Sequence, residues 1–128
     1  MEYQTLYAQM GGAPTIRRLV EAFYPKVQAD PEIGPLFPTD IMPVMEKQYL
    51  FLSQFLGGPA LYNEAHGHPM LRQRHMPFPI DERRARAWLR CMAAALDETG
   101  LVGDLREQVF QRLSFTAAHM INTAERQP

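Results

Sequence analysis

His75 is the residue whose type and setting first point to chemistry in this chain. It lies in the segment MLRQRHM, which follows Pro69 and precedes Pro77, and its neighbours Met76 and Phe78 are apolar. A neutral imidazole held in such a segment can ligate iron, act as a general base, or be a hydrogen-bonded histidine of the core. The residue types alone leave these three roles open.

Three further polar side chains interrupt apolar helical stripes. Tyr24 and Trp88 each carry one polar group on a large ring, and Gln48 stands in a stripe that is otherwise apolar. A buried polar group without a partner costs about 1–3 kcal/mol, so each of these groups needs one. Local pairing inside a plain helical core is one explanation. The other is a polar diatomic ligand that meets all three side chains in a shared pocket.

The elements that must position these residues are predicted to be helices. The first runs from Pro14 to Asp30-Pro31 and presents one apolar face, made of Ile16, Leu19, Val20, Phe23 and Val27. Residues 32–40 are predicted as a short helical turn and a loop. The second helix ends at Gly57-Gly58-Pro59 and carries the stripe Val44, Gln48, Phe51, Leu52 and Phe55.

The second half of the chain continues in the same way. Residues 59–68 are predicted as a loop, and a loop of that length in a small domain is often functional. A short helix then holds His75. Asp81 is a good N-cap for a third long helix, whose stripe is Ala85, Trp88, Leu89, Met92 and Leu96. The last helix carries Leu105, Val109, Leu113, Thr116 and Met120. No strand-like alternation is present, so the fold class is predicted to be all-α.

Composition narrows the function classes. A chain of 128 residues is expected to form one domain, residues 1–128. Its 13 basic and 14 acidic residues contain no basic tract, which argues against a nucleic-acid partner. There is no apolar run of about 18 residues and no secretory signal, so we expect a cytoplasmic protein without a membrane span. The single cysteine, Cys91, cannot form an internal disulfide.

Longer stretches of the chain resemble a known family. The segments LVEAFYPKV and PLFP, then LGGPALYNEAHGHPMLRQRHMPFPI and RAWLRCM, resemble the truncated haemoglobins of group II. The likeness runs from Thr5-Leu6-Tyr7 to HMIN near the C-terminus, and as a composite it is highly specific. It implies the two-over-two helical sandwich of that family, a shortened globin fold with haem b between the helix pairs.

The resemblance also implies roles for individual residues. His75 resembles the proximal iron ligand. Three side chains would be distal hydrogen-bond donors to O₂: Tyr24, Trp88 and Gln48. Three others would reach the haem propionates: Lys47, Tyr62 and Arg74. Apolar contact with the haem would come from Phe37, Val44, Phe51, Leu52, Leu71, Met76 and Met92.

Two positions depart from what related globins contain. Val44 is apolar where globins often have histidine and relatives a small residue, so it offers no side-chain gate of that kind. Pro25 directly follows Tyr24 inside a long helix. It removes one backbone hydrogen bond, leaves the Glu21 carbonyl without its helical donor, and predicts a kink that would shift the tyrosine hydroxyl.

The leading functional hypothesis is reversible O₂ binding at ferrous iron, with CO and NO as further diatomic ligands. The alternative is a haem-dependent redox enzyme, peroxidase-like or a nitric oxide dioxygenase, which uses the same pocket and needs a reductase for nitric oxide turnover. A cofactor-free helical interaction domain would leave His75, Tyr24, Gln48 and Trp88 as coincidental core residues. The chain is expected to be a monomer or a homodimer.

Overall fold

A computed structural model of the chain describes residues 4–123, apart from the side chain of Arg72. Within that range the chain forms seven α-helices, one 3₁₀ turn and no β-strand, which confirms the all-α prediction. The helices are α1 (Leu6–Met10), α2 (Ala13–Ala29), α3 (Met42–Phe55), α4 (Leu61–His66), α5 (Leu71–His75), α6 (Glu82–Glu98) and α7 (Gly103–Met120). The 3₁₀ turn, Gly34–Leu36, precedes α3. The single domain predicted for residues 1–128 includes terminal residues that lie outside the described range. No helix in residues 4–123 is long and apolar enough to cross a membrane.

Four long helices form two packed pairs. Helix α2 packs against α3 and α6, and α6 packs against α7. The core between them is apolar and consists largely of Ile16, Leu19, Phe23, Leu52, Leu56, Met92, Leu96, Val109 and Leu113. Because each helix buries one apolar stripe, the periodicity of the sequence is enough to produce this layered arrangement. The short helix α5 packs against α7.

Helix α2 contains Pro25 but is not ended by it. Pro14 lies in its first turn, where a missing N–H is tolerated, and the helix continues past Pro25 to Ala29. Pro25 itself is exposed, whereas the preceding Tyr24 is only 2% exposed. The proline therefore interrupts neither the helix nor the burial of the tyrosine.

Residues 59–68, predicted as a loop, contain helix α4 instead. The first turn of α4 is held by α3 through a pair of amide side chains. The Asn63 backbone N–H donates to Gln54 Oε1 at 2.9 Å, and Gln54 Nε2 donates to Asn63 Oδ1 at 3.1 Å. A local pattern cannot reveal these contacts, because they depend on how α3 and α4 meet.

Helices α1 and α6 begin at side-chain caps. Thr5 Oγ1 accepts from the backbone N–H of Ala8 at 3.1 Å, and α1 ends at Gly11 in the left-handed region with φ 110°. Asp81 Oδ1 accepts from the backbone N–H of Arg84 at 2.9 Å, which confirms the N-cap predicted for α6. This cap fixes where the chain turns from the segment after His75 into α6.

Candidate functional site

A cavity of about 490 Å³ lies at the junction of the two helix pairs. Helices α2, α3, α5, α6 and α7 all contribute to its lining, together with the turn after α2 and Tyr62 of α4. Its size falls within the range of roughly 300–1,000 Å³ that is typical of ligand and cofactor sites. The cavity is the candidate functional site.

Most of the predicted site residues meet in this cavity. Those that line it are Tyr24, Phe37, Val44, Lys47, Gln48, Phe51, Tyr62, Leu71, Arg74, His75 and Trp88. They come from distant parts of the chain, so the fold brings together side chains that share no local motif. The resemblance therefore selected residues that are neighbours in space.

Three predicted haem contacts lie elsewhere. Leu52 and Met92 are buried in the core between the helices and do not line the cavity. Met76 is 52% exposed and also lies outside the lining. Successive residues of a helix point about 100° apart. Leu52 and Met76 therefore do not face the cavity that their neighbours Phe51 and His75 line. Contact of these three residues with a bound haem stays a prediction from the sequence.

His75 is held in one orientation by its own helix. Its Nδ1 atom lies 2.7 Å from the backbone carbonyl oxygen of Leu71, one turn earlier in α5. A carbonyl only accepts hydrogen bonds, so this contact places the proton of the neutral ring on Nδ1 and leaves a lone pair on Nε2. His75 is the one histidine among the described residues that line the cavity. Its geometry suits a metal ligand whose second nitrogen is anchored by the protein.

Tyr24 is a buried hydroxyl that remains protonated. Burial raises the pKa of the Tyr24 hydroxyl above its ordinary value, because the charged form would lose its hydration. The ring meets Phe23 edge to face, with 4.9 Å between centroids, and Phe37 at 6.0 Å. These aromatic contacts position the hydroxyl as a hydrogen-bond donor at neutral pH.

Trp88 and Gln48 add two further polar groups to the lining. Within residues 4–123, the side chains of Tyr24, Gln48 and Trp88 have no hydrogen-bond partner in the protein. Their polar atoms are not among the buried atoms without a partner, so they open on the cavity, where water or a ligand can supply the missing partner. Their arrangement is therefore that of a site which accepts a polar ligand.

Two exposed cations lie at the cavity. Lys47 of α3 and Arg74 of α5 both line it and are both exposed, and neither forms an ion pair with another described side chain. The Arg74 guanidinium carbon is 5.7 Å from the centroid of the Tyr62 ring, and Tyr62 is itself buried. This pair of charges can bind carboxylate groups of a ligand that extends from the cavity to solvent.

The sequence reasoning missed a part of the lining that comes mainly from α7 and the segment before α6. These residues are Ile33, Leu36, Pro38, Phe78, Ile80, Arg84, Ala85, Leu113, Thr116, Ala117 and Met120. Arg84 Nη1 donates to the Pro79 carbonyl at 2.8 Å, while its buried Nε has no partner among the described residues. The sequence does contain one indication that α7 lines the cavity. Thr116 is a polar residue in the apolar stripe of the last helix, as Gln48 is in the stripe of α3.

Comparison with known proteins gives the family. Residues 5–122 match the bacterial-like globin family. The chain is 52% identical to group 2 truncated hemoglobin YjbI of Bacillus subtilis (strain 168) over 114 residues, which cover 89% of this chain and 86% of that protein.

Two solved structures are similar over nearly their whole length. One is the group II truncated hemoglobin from Bacillus anthracis, with 49% identity, a TM-score of 0.97 and coverage of 99% of this chain and 98% of that one. The other is the truncated oxygen-avid haemoglobin from Bacillus subtilis, with 50% identity, a TM-score of 0.89 and coverage of 93% and 100%. These matches confirm the predicted two-over-two fold, and the chain belongs to the bacterial-like globin family as a group II truncated haemoglobin.

Proposed function

We propose that this chain binds haem b and reversibly binds O₂, with His75 as the proximal iron ligand. Membership of the globin family implies a haem cofactor and a diatomic gas as its ligand. When bound, haem would supply an iron centre that can bind a diatomic gas. The residues of the cavity fit this group, as follows.

The cavity supplies each kind of contact that haem requires. Apolar side chains such as Phe37, Phe51 and Leu71 line its walls and would cover the macrocycle. The Nε2 lone pair of His75 is left available by the hydrogen bond at Nδ1. Lys47 and Arg74 line the cavity and are exposed, and they would pair with the propionate carboxylates. An apolar cavity with one anchored imidazole and two rim cations matches the chemistry of an amphiphilic, iron-containing cofactor.

The observation that carries the proposal for O₂ is the set of unpaired donors in the cavity. Tyr24, Trp88 and Gln48 can donate hydrogen bonds to a bound diatomic ligand that carries partial negative charge. A hydrogen bond to such an acceptor contributes about 1.5–3 kcal/mol, which slows ligand release by a factor of ten or more. CO accepts hydrogen bonds less well, so these donors favour O₂. One of the similar solved structures is that of the truncated oxygen-avid haemoglobin from Bacillus subtilis.

The hydrogen-bond partner of the His75 Nδ1 atom favours reversible O₂ binding over peroxidase-like chemistry. Peroxidases give the proximal imidazole anionic character through a carboxylate at its second nitrogen. Here that nitrogen lies 2.7 Å from a backbone carbonyl oxygen, which is neutral. The redox alternatives therefore have less support from this side of the cavity, and nitric oxide turnover would also need a reductase. A cofactor-free helical interaction domain conflicts with membership of a haem-binding family.

Absorption spectra of the purified protein test the proposal. We would compare the parent with His75→Ala in ferric, dithionite-reduced and air-equilibrated forms, with His66→Ala as the control because His66 is exposed and does not line the cavity. The expected result is a strong Soret band and a stable oxy spectrum in the parent and the control, lost or altered in His75→Ala. A colourless parent that takes up no added haem, or a His75→Ala variant with unchanged spectra, would contradict the proposal.

Several points stay predictions from the sequence. These are the single domain over residues 1–128, the cytoplasmic location, the choice between monomer and homodimer, and binding of CO and NO. Gel filtration coupled to light scattering measures the oligomeric state directly. Flash photolysis measures binding of the other gases on the same haem-loaded sample.

A further inference from the structure

The segment from Met76 to Ile80 connects His75 to α6 without regular structure of its own. Two of its five residues, Pro77 and Pro79, lack an N–H group. Backbone groups in such a segment cannot pair within a helix, and buried ones are costly when unpaired. The partners of this segment therefore decide how firmly His75 is held.

Asn122, just after α7, supplies partners for Phe78 and Ile80 of this segment. Its Nδ2 donates to the carbonyl oxygens of Phe78 at 3.0 Å and His75 at 3.2 Å. Its Oδ1 accepts from the backbone N–H of Ile80 at 3.0 Å and from Thr123 Oγ1 at 2.7 Å. An amide side chain offers two donor hydrogens and two acceptor lone pairs, so all of its capacity is used here.

The backbone around Asn122 completes the connection. The N–H groups of Asn122 and Thr123 both donate to the Ile80 carbonyl, at 2.9 and 3.1 Å. The Phe78 N–H donates to the His75 carbonyl at 2.9 Å, and Arg84 donates to that of Pro79 at 2.8 Å. Each backbone N–H and C=O from Phe78 to Ile80 thus has a partner, and Asn122 provides the majority of them.

We propose that Asn122 is a positioning residue that sets the depth and orientation of His75 in the cavity. Helix α5 has five residues, which is too short to be stable without external contacts. The His75 carbonyl, at the end of that helix, accepts from Asn122, so α5 is tied directly to the end of α7. This inference rests on the proposed function, because it concerns the residue proposed as the iron ligand.

The chemistry of the amide explains why asparagine is suited to this place. Alanine would leave two carbonyls and one N–H without these partners. Aspartate has the same shape and keeps the acceptor for Ile80, but it would place a carboxylate oxygen against the carbonyls of His75 and Phe78. Asn122→Asp therefore removes the donor function while it preserves the volume of the side chain.

The test uses the haem-loaded protein and the variants Asn122→Ala and Asn122→Asp. Thr123→Ala is the matched control, because it removes one contact to Oδ1 and leaves the bonds to the His75 segment in place. Resonance Raman spectra of the reduced, ligand-free protein report the iron–histidine stretching band, and transfer to apomyoglobin reports haem release. We expect a shifted or broadened band and about tenfold faster haem release in both Asn122 variants, since each loses hydrogen bonds to the His75 segment. Thr123→Ala should keep the parent band.

The outcomes separate the two proposals. If His75→Ala retains the parent's stretching band, or the parent has none, the assignment of the proximal ligand is wrong. If His75→Ala loses the band while both Asn122 variants keep it unchanged, only the positioning role is wrong. Should neither variant fold, hydrogen exchange on the unmodified protein decides: we expect a protected Ile80 amide, and exchange as fast as in an unstructured peptide would overturn the inference.

Discussion

The rings of Phe23 and Trp88 meet edge to face, with 5.2 Å between their centroids and 72° between their planes. Phe23 meets Tyr24 in the same way at 4.9 Å. Because Tyr24 lies on α2 and Trp88 on α6, one fully buried phenyl ring contacts both of the proposed aromatic donors. The spacing of the donors is therefore set by the packing of two long helices.

Phe23→Leu tests this arrangement. An edge-to-face pair contributes about 0.5–1.5 kcal/mol beyond burial, so loss of two pairs should lower the free energy of unfolding by about 1–3 kcal/mol. The measurement is chemical denaturation followed by circular dichroism. Phe115→Leu is the control, because Phe115 is 69% exposed and should change stability by no more than about 0.5 kcal/mol. Equal effects at the two positions would show that Phe23 is not a structural link between the donors.

Tyr24→Phe tests the distal hydrogen bond. The substitution removes one hydroxyl and keeps the ring, so we expect O₂ release to become at least about tenfold faster. CO release should change far less, because CO is a weaker acceptor. Stopped-flow measurement of both rates checks this, with Tyr49→Phe as the control since Tyr49 does not line the cavity. An unchanged O₂ release rate would remove Tyr24 from the set of donors.

The raised pKa of Tyr24 predicts a dependence of stability on alkaline pH. In the unfolded chain the hydroxyl titrates near pH 10, whereas burial favours its neutral form in the folded protein. The resulting stabilisation is fully present below about pH 10 and is lost as the pH rises through the folded pKa. As the pH rises above about 10, the free energy of unfolding of the parent should fall faster than that of Tyr24→Phe, by up to about 1.4 kcal/mol per pH unit. Urea denaturation between pH 8 and 11 measures both slopes, and identical slopes would contradict the prediction.

Lys47→Ala and Arg74→Ala test the proposed propionate contacts. Exposed ion pairs contribute about 0.2–1 kcal/mol, so haem release should accelerate by no more than about fivefold for either variant. The difference from the parent should shrink at high salt, because screening weakens exposed charges. Lys26→Ala is the control, since Lys26 pairs with Glu98 and does not line the cavity. A loss of haem binding in either variant would mean that these cations hold the cofactor rather than orient it.

The long helices were predictable because a helix that buries one face has apolar residues at a regular helical spacing in the sequence. Ile16, Leu19, Phe23 and Val27 are spaced as a single helical face, and all four are fully buried in α2. Helix α4 was not predictable in this way. It is six residues long, and the Gln54–Asn63 amide pair that holds it depends on tertiary packing. Short elements stabilised by distant contacts carry too little periodic signal of their own.

The candidate site was predictable where a residue type is unusual for its stripe. Gln48 breaks an apolar pattern and lines the cavity, whereas Met92 fits its pattern and lies in the core. The contribution of α7 was missed because, apart from Thr116, the residues of its stripe are those of an ordinary apolar core. Asn122 was missed for another reason. Its partners are backbone groups, which every residue type has, so the sequence of the partner segment does not indicate that Asn122 binds it.

The tie between Asn122 and the His75 segment also has a consequence for biosynthesis. Residues 75 and 122 are far apart in the chain, yet the second completes the surroundings of the first. While a ribosome is still adding α7, the His75 segment lacks these hydrogen bonds and one wall of the cavity does not exist. The chain therefore cannot form its finished cavity until residue 122 has left the exit tunnel and folded back, so a cofactor that needs this geometry would bind only after that region has been translated.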